Sequence, residues 1–374
     1  MTSTEPTTNP KTGPLPPSTA WEEKIEPDEE KLFSSFAREI EERQRGVLRE
    51  IEARRDRGGR DAEIARRVGG RLLRGFHAKP HAGLVAEFEV LPGLPAHARF
   101  GVFAEPRVFP AVVRFSNGTH TLQEDKKPEP RGIAIKLFGV AGEKLLDEQR
   151  DAVTQDFLAT SHSVTQTVRN VRQFMAFVRA EEKGIPALIP SLIRHVGLRE
   201  AVRILLALRR TVLKPKVLSM ATEEYSGTAP IKLGPYAVKF TVRPPEGTER
   251  AAGDIPQDRP DFLREDLAER LRRADLVFDF VVQFFVDKKL TPIEDTSVPW
   301  EPGVAPFVRV ARLRIPKCEP DERLTEKVNQ LSFTPWHTTE DHRPLGNVMR
   351  ARKFAYEASS AHRGRSAEPT GLPL

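Results

Sequence analysis

The stretch YAVKFTVR at residues 236–243 decides the fold class, because its apolar side chains recur with a period of two. That period puts alternate side chains on opposite faces of a β-strand. The stretch LVFDFVVQFFV at residues 276–286 follows the same period and is rich in Phe and Val, which favour strands. The residues that share one face are Tyr236, Val238, Phe240 and Val242 in the first stretch and Phe278, Phe280, Val282, Phe284 and Val286 in the second. Both stretches are predicted to be antiparallel strands.

Several other short apolar runs have the same character. They cover residues 85–90, 100–103, 112–115, 133–138 and 308–315, and Pro, Gly and Asn separate many of them. Short runs bounded by such residues are typical of antiparallel strands joined by turns. Six or more strands at this spacing favour a closed barrel over an open sheet.

Helical spacing of apolar residues appears before, between and after these strands. It covers residues 28–56, 168–181, 198–213, 321–333 and 347–362, and Gly58-Gly59 ends the first of these segments. Strands combined with helices in this order indicate the α+β class. We therefore expect an antiparallel β-barrel with surrounding helices and an N-terminal helical arm.

The 374 residues divide into four parts. Residues 1–20 are rich in Pro, Thr and Ser and cannot bury enough apolar surface to offset ordering, so they are predicted to be a disordered tail. Residues 21–69 form the helical arm, residues 70–363 a single domain, and residues 364–374 a flexible tail.

Cysteine content and hydropathy bear on the compartment. Cys318 is the single cysteine, so the chain cannot hold an internal disulfide. No apolar run is long enough for a signal peptide or a transmembrane segment. The sequence predicts a cytoplasmic protein.

The net charge of +6 comes from 59 basic and 53 acidic side chains that are mixed along the chain. A nucleic-acid surface would need basic side chains gathered on one face with aromatic residues between them. We therefore predict no nucleic-acid partner. Arginines could instead bind anionic groups of a cofactor through paired hydrogen bonds.

Four motifs carry candidate chemistry. In chain order they are RGFHAK at residues 74–79, VVRFS at 112–116, PRGIAIK at 130–136 and RKFAY at 352–356. Together with FEV at residues 88–90, they resemble the haem-binding segments of the catalase superfamily. The segment HRPLG at residues 342–346 is similar to the smaller branch of that superfamily that includes the allene oxide synthases.

The resemblance implies a barrel of catalase type with haem b as the cofactor. Tyr356 would be the axial ligand of the iron, because tyrosine is the haem ligand of catalases. Arg352 lies four residues earlier, so a helix would put it on the same face, where it would stabilise a phenolate. In this family such N-terminal arms often exchange between subunits, which would imply a homo-oligomer.

The other motifs supply the remaining candidate residues. His77 would act as acid and base on peroxide, and Ser116 would hydrogen-bond its imidazole. Arg74 and Arg114 would bind the haem propionates, while Phe174 would line the haem pocket. His337 and His342 are five residues apart, but no further ligand motif supports a zinc site.

The sequence departs from the family at four places. The Asn that orients peroxide in catalases is replaced by Thr160 or Ser161, and the Phe pair downstream by Thr165 and Gln166. The Thr that precedes the distal His in allene oxide synthases is Phe76 here. Since the chain ends soon after Tyr356, we expect no NADPH site.

Three hypotheses remain open at this point. The first is a haem-dependent catalase-like peroxidase that decomposes hydrogen peroxide or organic hydroperoxides, an iron oxidoreductase of the oxidative stress response. The second is an enzyme that rearranges or cleaves a lipid hydroperoxide, as in the allene oxide synthase branch. The third is a degenerate barrel that binds an apolar ligand or a partner without haem.

Overall fold

A computed structural model describes residues 13–55, 74–120, 122–161, 167–182, 185–209, 217–248, 251–364 and 367–374. The predictions for residues 1–12, for residues 56–73 at the end of the arm and for Thr165 and Gln166 lie outside the described residues.

The described residues contain nine strands that form one antiparallel sheet. They are β1 (Pro80–Val90), β2 (Val108–Asn117), β3 (Arg131–Phe138), β4 (Thr154–Thr160), β5 (Tyr225–Ser226), β6 (Ile231–Leu233), β7 (Tyr236–Arg243), β8 (Leu276–Phe284) and β9 (Val308–Ile315). The alternating stretches at 236–243 and 276–286 are thus strands β7 and β8, which pair with each other.

The sheet closes into a barrel of eight strands. Its order is β5-β4-β3-β2-β1-β9-β8-β7, and the short strand β5 pairs with both β4 and β7. Strand β6 is outside this ring and pairs with β7 as a hairpin. The predicted antiparallel barrel is confirmed.

Seven α-helices surround the barrel within the described ranges. They are α1 (Glu29–Arg55), α2 (Val171–Glu182), α3 (Ile185–Val196), α4 (Leu198–Leu208), α5 (Phe262–Arg273), α6 (Glu322–Gln330) and α7 (Asn347–His362). None of the helices described is long and apolar enough to cross a membrane.

Phenylalanine rings fill the barrel. Phe280 of β8 contacts the rings of Phe88, Phe157 and Phe240, with centroid separations of 5.4, 5.1 and 5.0 Å. These side chains come from four different strands and all are buried. Burying one Phe side chain contributes about 1.5–3 kcal/mol, so these inward-facing rings, which the period of two places on one side of each strand, stabilise the barrel.

The strand predicted at residues 100–103 is wrong. Gly101–Phe103 form one turn of 3-10 helix, and the backbone N–H of Val102 donates to Nε2 of His342 at 2.9 Å. Gly101 has a φ of +54°, which a strand does not allow and which glycine adopts readily. The side chain of His342 thus accepts the hydrogen bond that a neighbouring strand would otherwise accept from Val102.

The N-terminal arm fixes the last helix. Arg350 of α7 forms ion pairs with Glu23, Glu29 and Glu294 at 2.6, 2.8 and 3.2 Å. Apolar side chains of α1 also pack against Ala351 and Ala355 of α7. The arm therefore positions the helix that carries the RKFAY motif.

The segment predicted to be a flexible tail makes specific contacts. Glu368 pairs with the buried Lys136 at 2.6 Å and accepts a hydrogen bond from Thr154 Oγ1 at 3.0 Å. Asp156 pairs with the same Lys136 at 2.8 Å. Burial raises the pKa of Asp156, and the second carboxylate of Glu368 raises it further. The mobility of residues 364–374 stays a prediction.

Candidate functional site

A cavity, partly open to solvent, lies between the 74–77 loop, strands β2, β3 and β4, and helix α7. Much of its wall is apolar, with Ile133, Ala134, Leu158, Phe333 and Ala355 among the lining residues. Three of the four sequence motifs contribute charged or polar side chains to this wall, and the fourth contributes Gly132, Ile133 and Ala134. The lining therefore suits an apolar group with polar ends.

His77 lines the cavity from the loop before β1. Its backbone has a φ of +58°, a conformation that costs a non-glycine residue about 1–3 kcal/mol. Hydrogen bonds hold the loop in this shape, since Ala78 N donates to Thr119 O at 3.1 Å and Lys79 N donates to Asn117 Oδ1 at 2.7 Å. Such imposed strain is typical of residues at functional sites.

The tautomer of His77 follows from its partners. Nδ1 lies 2.6 Å from the carbonyl oxygen of Asn117 and 3.2 Å from Oγ of Ser116. A carbonyl oxygen can only accept, so Nδ1 carries the proton and Nε2 is left with a free lone pair. Gly132 permits this placement, because a Cβ there would lie 2.4 Å from Nδ1.

His77 is neutral at physiological pH. Burial and the nearby charges of Arg114, Arg352 and Arg74 lower its pKa from 6.5 to about 3. The ring stays partly accessible, since it lines the cavity. A neutral imidazole with a free Nε2 can accept a proton from a bound molecule and return it.

Besides Arg352, three arginines line the same cavity: Arg74, Arg114 and Arg363. Arg74 donates to the carbonyl oxygens of Asn329 and Leu331 at 3.0 and 2.6 Å. Arg114 donates to Oδ1 of Asn329 at 3.0 Å and to the carbonyl oxygen of His77 at 2.8 Å.

No carboxylate pairs with any of these arginines within the described ranges. The Nε atoms of Arg74 and Arg363 are buried and have no hydrogen-bond partner. Burial and mutual repulsion lower the pKa of Arg74 and lower that of Arg114 to about 9. Buried cations without a counter-ion are costly, so this cluster fits an anionic ligand with several oxygens.

Tyr356 and Arg352 line the cavity from helix α7. Arg352 Nη2 donates to the phenolic oxygen of Tyr356 at 3.0 Å, and the guanidinium carbon lies 5.2 Å from the ring centroid. The two residues are one helical turn apart, as the spacing in the sequence predicted. The guanidinium would stabilise negative charge on the phenolic oxygen.

Thr160, Ser161 and Phe174 occupy different positions relative to the cavity. Thr160 lines the cavity, whereas Ser161 is fully buried and its Oγ accepts a hydrogen bond from Arg131 N at 2.9 Å. Phe174 does not line the cavity but packs behind it, with its ring centroid 6.2 Å from that of the lining residue Phe76. Of the two residues predicted to replace the distal amide, Thr160 and not Ser161 therefore faces the cavity, and Phe174 packs behind the wall.

His337 and His342 serve structural roles. His337 Nε2 lies 2.7 Å from Thr154 Oγ1, and His342 Nε2 accepts from Val102 N. The described part of the chain holds no group of three or more His, Cys, Asp or Glu side chains that could bind a metal ion.

Sequence reasoning missed Arg363 and Asn117. Arg363 lies seven residues after Tyr356, a spacing that returns to the same face of a helix, so its position could have been found. The carbonyl oxygen of Asn117 that fixes the His77 tautomer is a backbone atom and leaves no signal in the sequence.

The cavity fits the haem that the resemblance implies. Two propionates would match the unpaired cluster of Arg74, Arg114 and Arg363, and the apolar wall would match the macrocycle. Tyr356 offers an oxygen ligand, and His77 offers a base. These residues would hold the group without any change of residue type.

No family model matches the chain, but comparisons find a similar sequence and similar folds. The chain is 28% identical over 276 residues to a catalase-related peroxidase of Mycolicibacterium paratuberculosis, a match that covers 70% of this chain and 81% of that protein.

Solved catalases have the same fold. A fungal catalase gives a TM-score of 0.59 at 18% identity, covering 78% of this chain and 58% of that one. Catalase A from Saccharomyces cerevisiae gives 0.60 at 17% identity, covering 78% and 61%. A bacterial catalase gives 0.58 at 16% identity, covering 80% and 58%. The chain thus spans about three fifths of the length of these solved catalases. The barrel of this chain thus has the fold of solved catalases, and its sequence is similar to that of a catalase-related peroxidase.

Proposed function

We propose that the chain is a haem-dependent catalase-like peroxidase that decomposes hydrogen peroxide or small organic hydroperoxides. One observation carries the proposal: the cavity that holds a neutral His77 and the Tyr356–Arg352 pair also holds three further arginines, the buried Arg74 and Arg114 and the partly exposed Arg363, without a carboxylate partner among the described residues. A dianionic, largely apolar cofactor with an iron centre satisfies both features at once.

The residues have distinct roles toward haem b. Tyr356 would be the axial ligand, with Arg352 stabilising its phenolate form. Arg74, Arg114 and Arg363 would bind the propionates through charge-assisted hydrogen bonds. Bound haem would supply the two electrons that reduce the O–O bond, and a second peroxide or an organic donor would return them.

His77 would move the proton of the reaction. Its free Nε2 takes a proton from the oxygen of the peroxide nearer to the cofactor and delivers it to the farther oxygen, which leaves as water or an alcohol. Asn117 and Ser116 keep the ring in the tautomer that this transfer needs. Thr160 offers a single hydroxyl to orient the peroxide, where an amide would offer two N–H donors.

The test is reconstitution of the full chain with haem, followed by addition of hydrogen peroxide or cumene hydroperoxide. Oxygen release measures catalase activity, and oxidation of a dye measures peroxidase activity. We expect turnover in at least one assay. Turnover in neither assay by a haem-loaded protein contradicts the proposal. A protein that takes up no haem supports instead a degenerate, non-enzymatic barrel.

A second candidate is rearrangement or cleavage of a lipid hydroperoxide. The apolar wall of the cavity and the hydroxyl of Thr160 in place of an amide favour it, since both suit a longer apolar substrate. Product analysis after incubation with hydroperoxy fatty acids separates the two candidates. Unchanged fatty-acid hydroperoxide eliminates the second.

We further propose a cytoplasmic location, on the ground that a chain with one cysteine suits a reducing compartment. A homo-oligomer is proposed by analogy with the family, and sedimentation of the purified chain tests it.

A further inference from the structure

Helices α3 and α4 expose an unusual number of apolar side chains. Among the described residues ten large apolar side chains are exposed, and five of them lie on these two helices. They are Ile189, Ile193, Leu198, Val202 and Leu206, with exposed fractions of 49, 36, 63, 47 and 52%. Single exposed apolar residues are common on proteins, but a cluster of this kind marks an interaction surface.

The exposed residues lie at helical spacing. Ile189 and Ile193 are four residues apart on α3, and Leu198, Val202 and Leu206 recur every four residues on α4. Each set therefore forms a ridge along its helix. Separate residues, Leu192, Ala201, Ile204 and Leu208, make the contacts with the body and are buried. The ridges are thus additional to the packing face of the two helices.

Arginines without acidic partners flank the ridges. Arg194, Arg199 and Arg209 are exposed and form no ion pair with any residue in the described ranges. Glu200 is the single acidic residue between 185 and 209. It is already engaged by Arg203 at 2.6 Å and by Arg169 at 3.2 Å. Apart from Glu200, the charged side chains of α3 and α4 are therefore all basic.

We infer that this face of α3 and α4 binds the surface of an anionic phospholipid membrane. An apolar ridge bordered by arginines is the pattern of helices that lie in the membrane interface, with the ridge at the acyl boundary and the arginines at the headgroups. Protein interfaces are instead enriched in aromatic residues and Met, and the exposed ridge has neither.

The experiment is co-sedimentation of the full-length chain with vesicles of phosphatidylcholine, either alone or mixed with phosphatidylglycerol. We expect binding to the mixed vesicles to exceed binding to the neutral ones by about tenfold or more and to weaken as salt is added. This readout does not depend on peroxide chemistry, so its failure is distinct from failure of the proposed function.

Two double variants make the test specific to this face. Val202→Glu with Leu206→Glu should lower vesicle binding by about tenfold or more, because it removes apolar contact and repels anionic lipid. The matched control is Val108→Glu with Val153→Glu, which changes two side chains that are similarly exposed, at 54 and 44%, elsewhere on the protein. The control should bind vesicles like the unaltered chain.

Three results would overturn the inference. The first is no binding to either vesicle, and the second is equal loss in both double variants. The third is self-association of the chain that the Val202 and Leu206 changes abolish, without any lipid binding, because the face would then contact a second copy. Urea unfolding of each variant checks that the fold is retained.

Discussion

Replacing Arg363 with methionine should stabilise the cofactor-free protein and weaken its affinity for haem. Burial lowers the pKa of the Arg363 guanidinium from 12.5 to about 10. At neutral pH the side chain is protonated in both the folded and the unfolded chain, so the difference destabilises the folded state by about 3 kcal/mol. Because the side chain keeps some contact with solvent, we expect a gain of about 2 kcal/mol.

The sign of the effect follows from the direction of the pKa change. The folded chain binds the Arg363 proton less tightly than the unfolded chain, so the cost is fully present below pH 10 and disappears as the pH rises from 10 toward 12.5. Arg363 is also the largest charge contribution that lowers the pKa of Arg74 and Arg114. Its removal therefore relieves repulsion across the whole cluster.

Urea unfolding of the two cofactor-free proteins at neutral pH measures the gain. Arg323→Met, which changes an exposed arginine on α6, is the matched control and should alter stability by less than about 0.5 kcal/mol. Titration with haem, followed by absorbance, should give an affinity for Arg363→Met that is about 10–100 times weaker. Destabilisation of the cofactor-free variant, or an unchanged affinity for haem, would refute the reasoning.

Three other predictions concern buried groups. Lys136→Met should lower the free energy of unfolding by about 3–5 kcal/mol, because it leaves the carboxylates of Asp156 and Glu368 without a cation. Adding Glu368→Gln should recover part of that loss, as measured by urea unfolding. A loss below about 1 kcal/mol would argue against a stabilising role of this ion-pair cluster. Burial lowers the pKa of His342 from 6.5 to about 4, so the unfolded chain takes up this proton first and stability falls as the pH drops below 6.5. As the pH falls from 7 to 4.5, the free energy of unfolding of His342→Gln should therefore decrease by about 2 kcal/mol less than that of the unaltered chain. Equal decreases would exclude His342 as the source of this pH dependence. His77→Gln should slow peroxide cleavage by about 10²–10⁴ while haem uptake, read from the absorption spectrum, is unchanged; full activity in the variant would reject His77 as the base.

The sequence predicted those strands of the barrel whose alternation of apolar side chains matches the way they pack. Strands β7 and β8 were visible from their alternation, because one face of each packs into the barrel. The prediction failed at residues 100–103, where apolar side chains are buried by a turn that His342 stabilises. A contact with a residue about 240 positions away leaves no trace in the local period.

The candidate site was predicted through motifs that carry side-chain chemistry. Arg74, His77, Arg114, Arg352 and Tyr356 all line one cavity, although they are spread over most of the chain. What could not be predicted depends on tertiary surroundings. That Arg363 has a buried Nε without a partner becomes visible only when its neighbours are known. The docking of Glu368 against Lys136 is similar, since one carboxylate in a polar tail looks like any other.

Titration of the Tyr356→Phe variant with haem tests the central claim most directly. The account predicts that the unaltered chain takes up ferric haem with the spectrum of a five-coordinate phenolate complex, and that the variant loses this spectrum while its unfolding in urea stays the same. If the variant binds haem with the same affinity and the same spectrum, the assignment of Tyr356 as the iron ligand is contradicted.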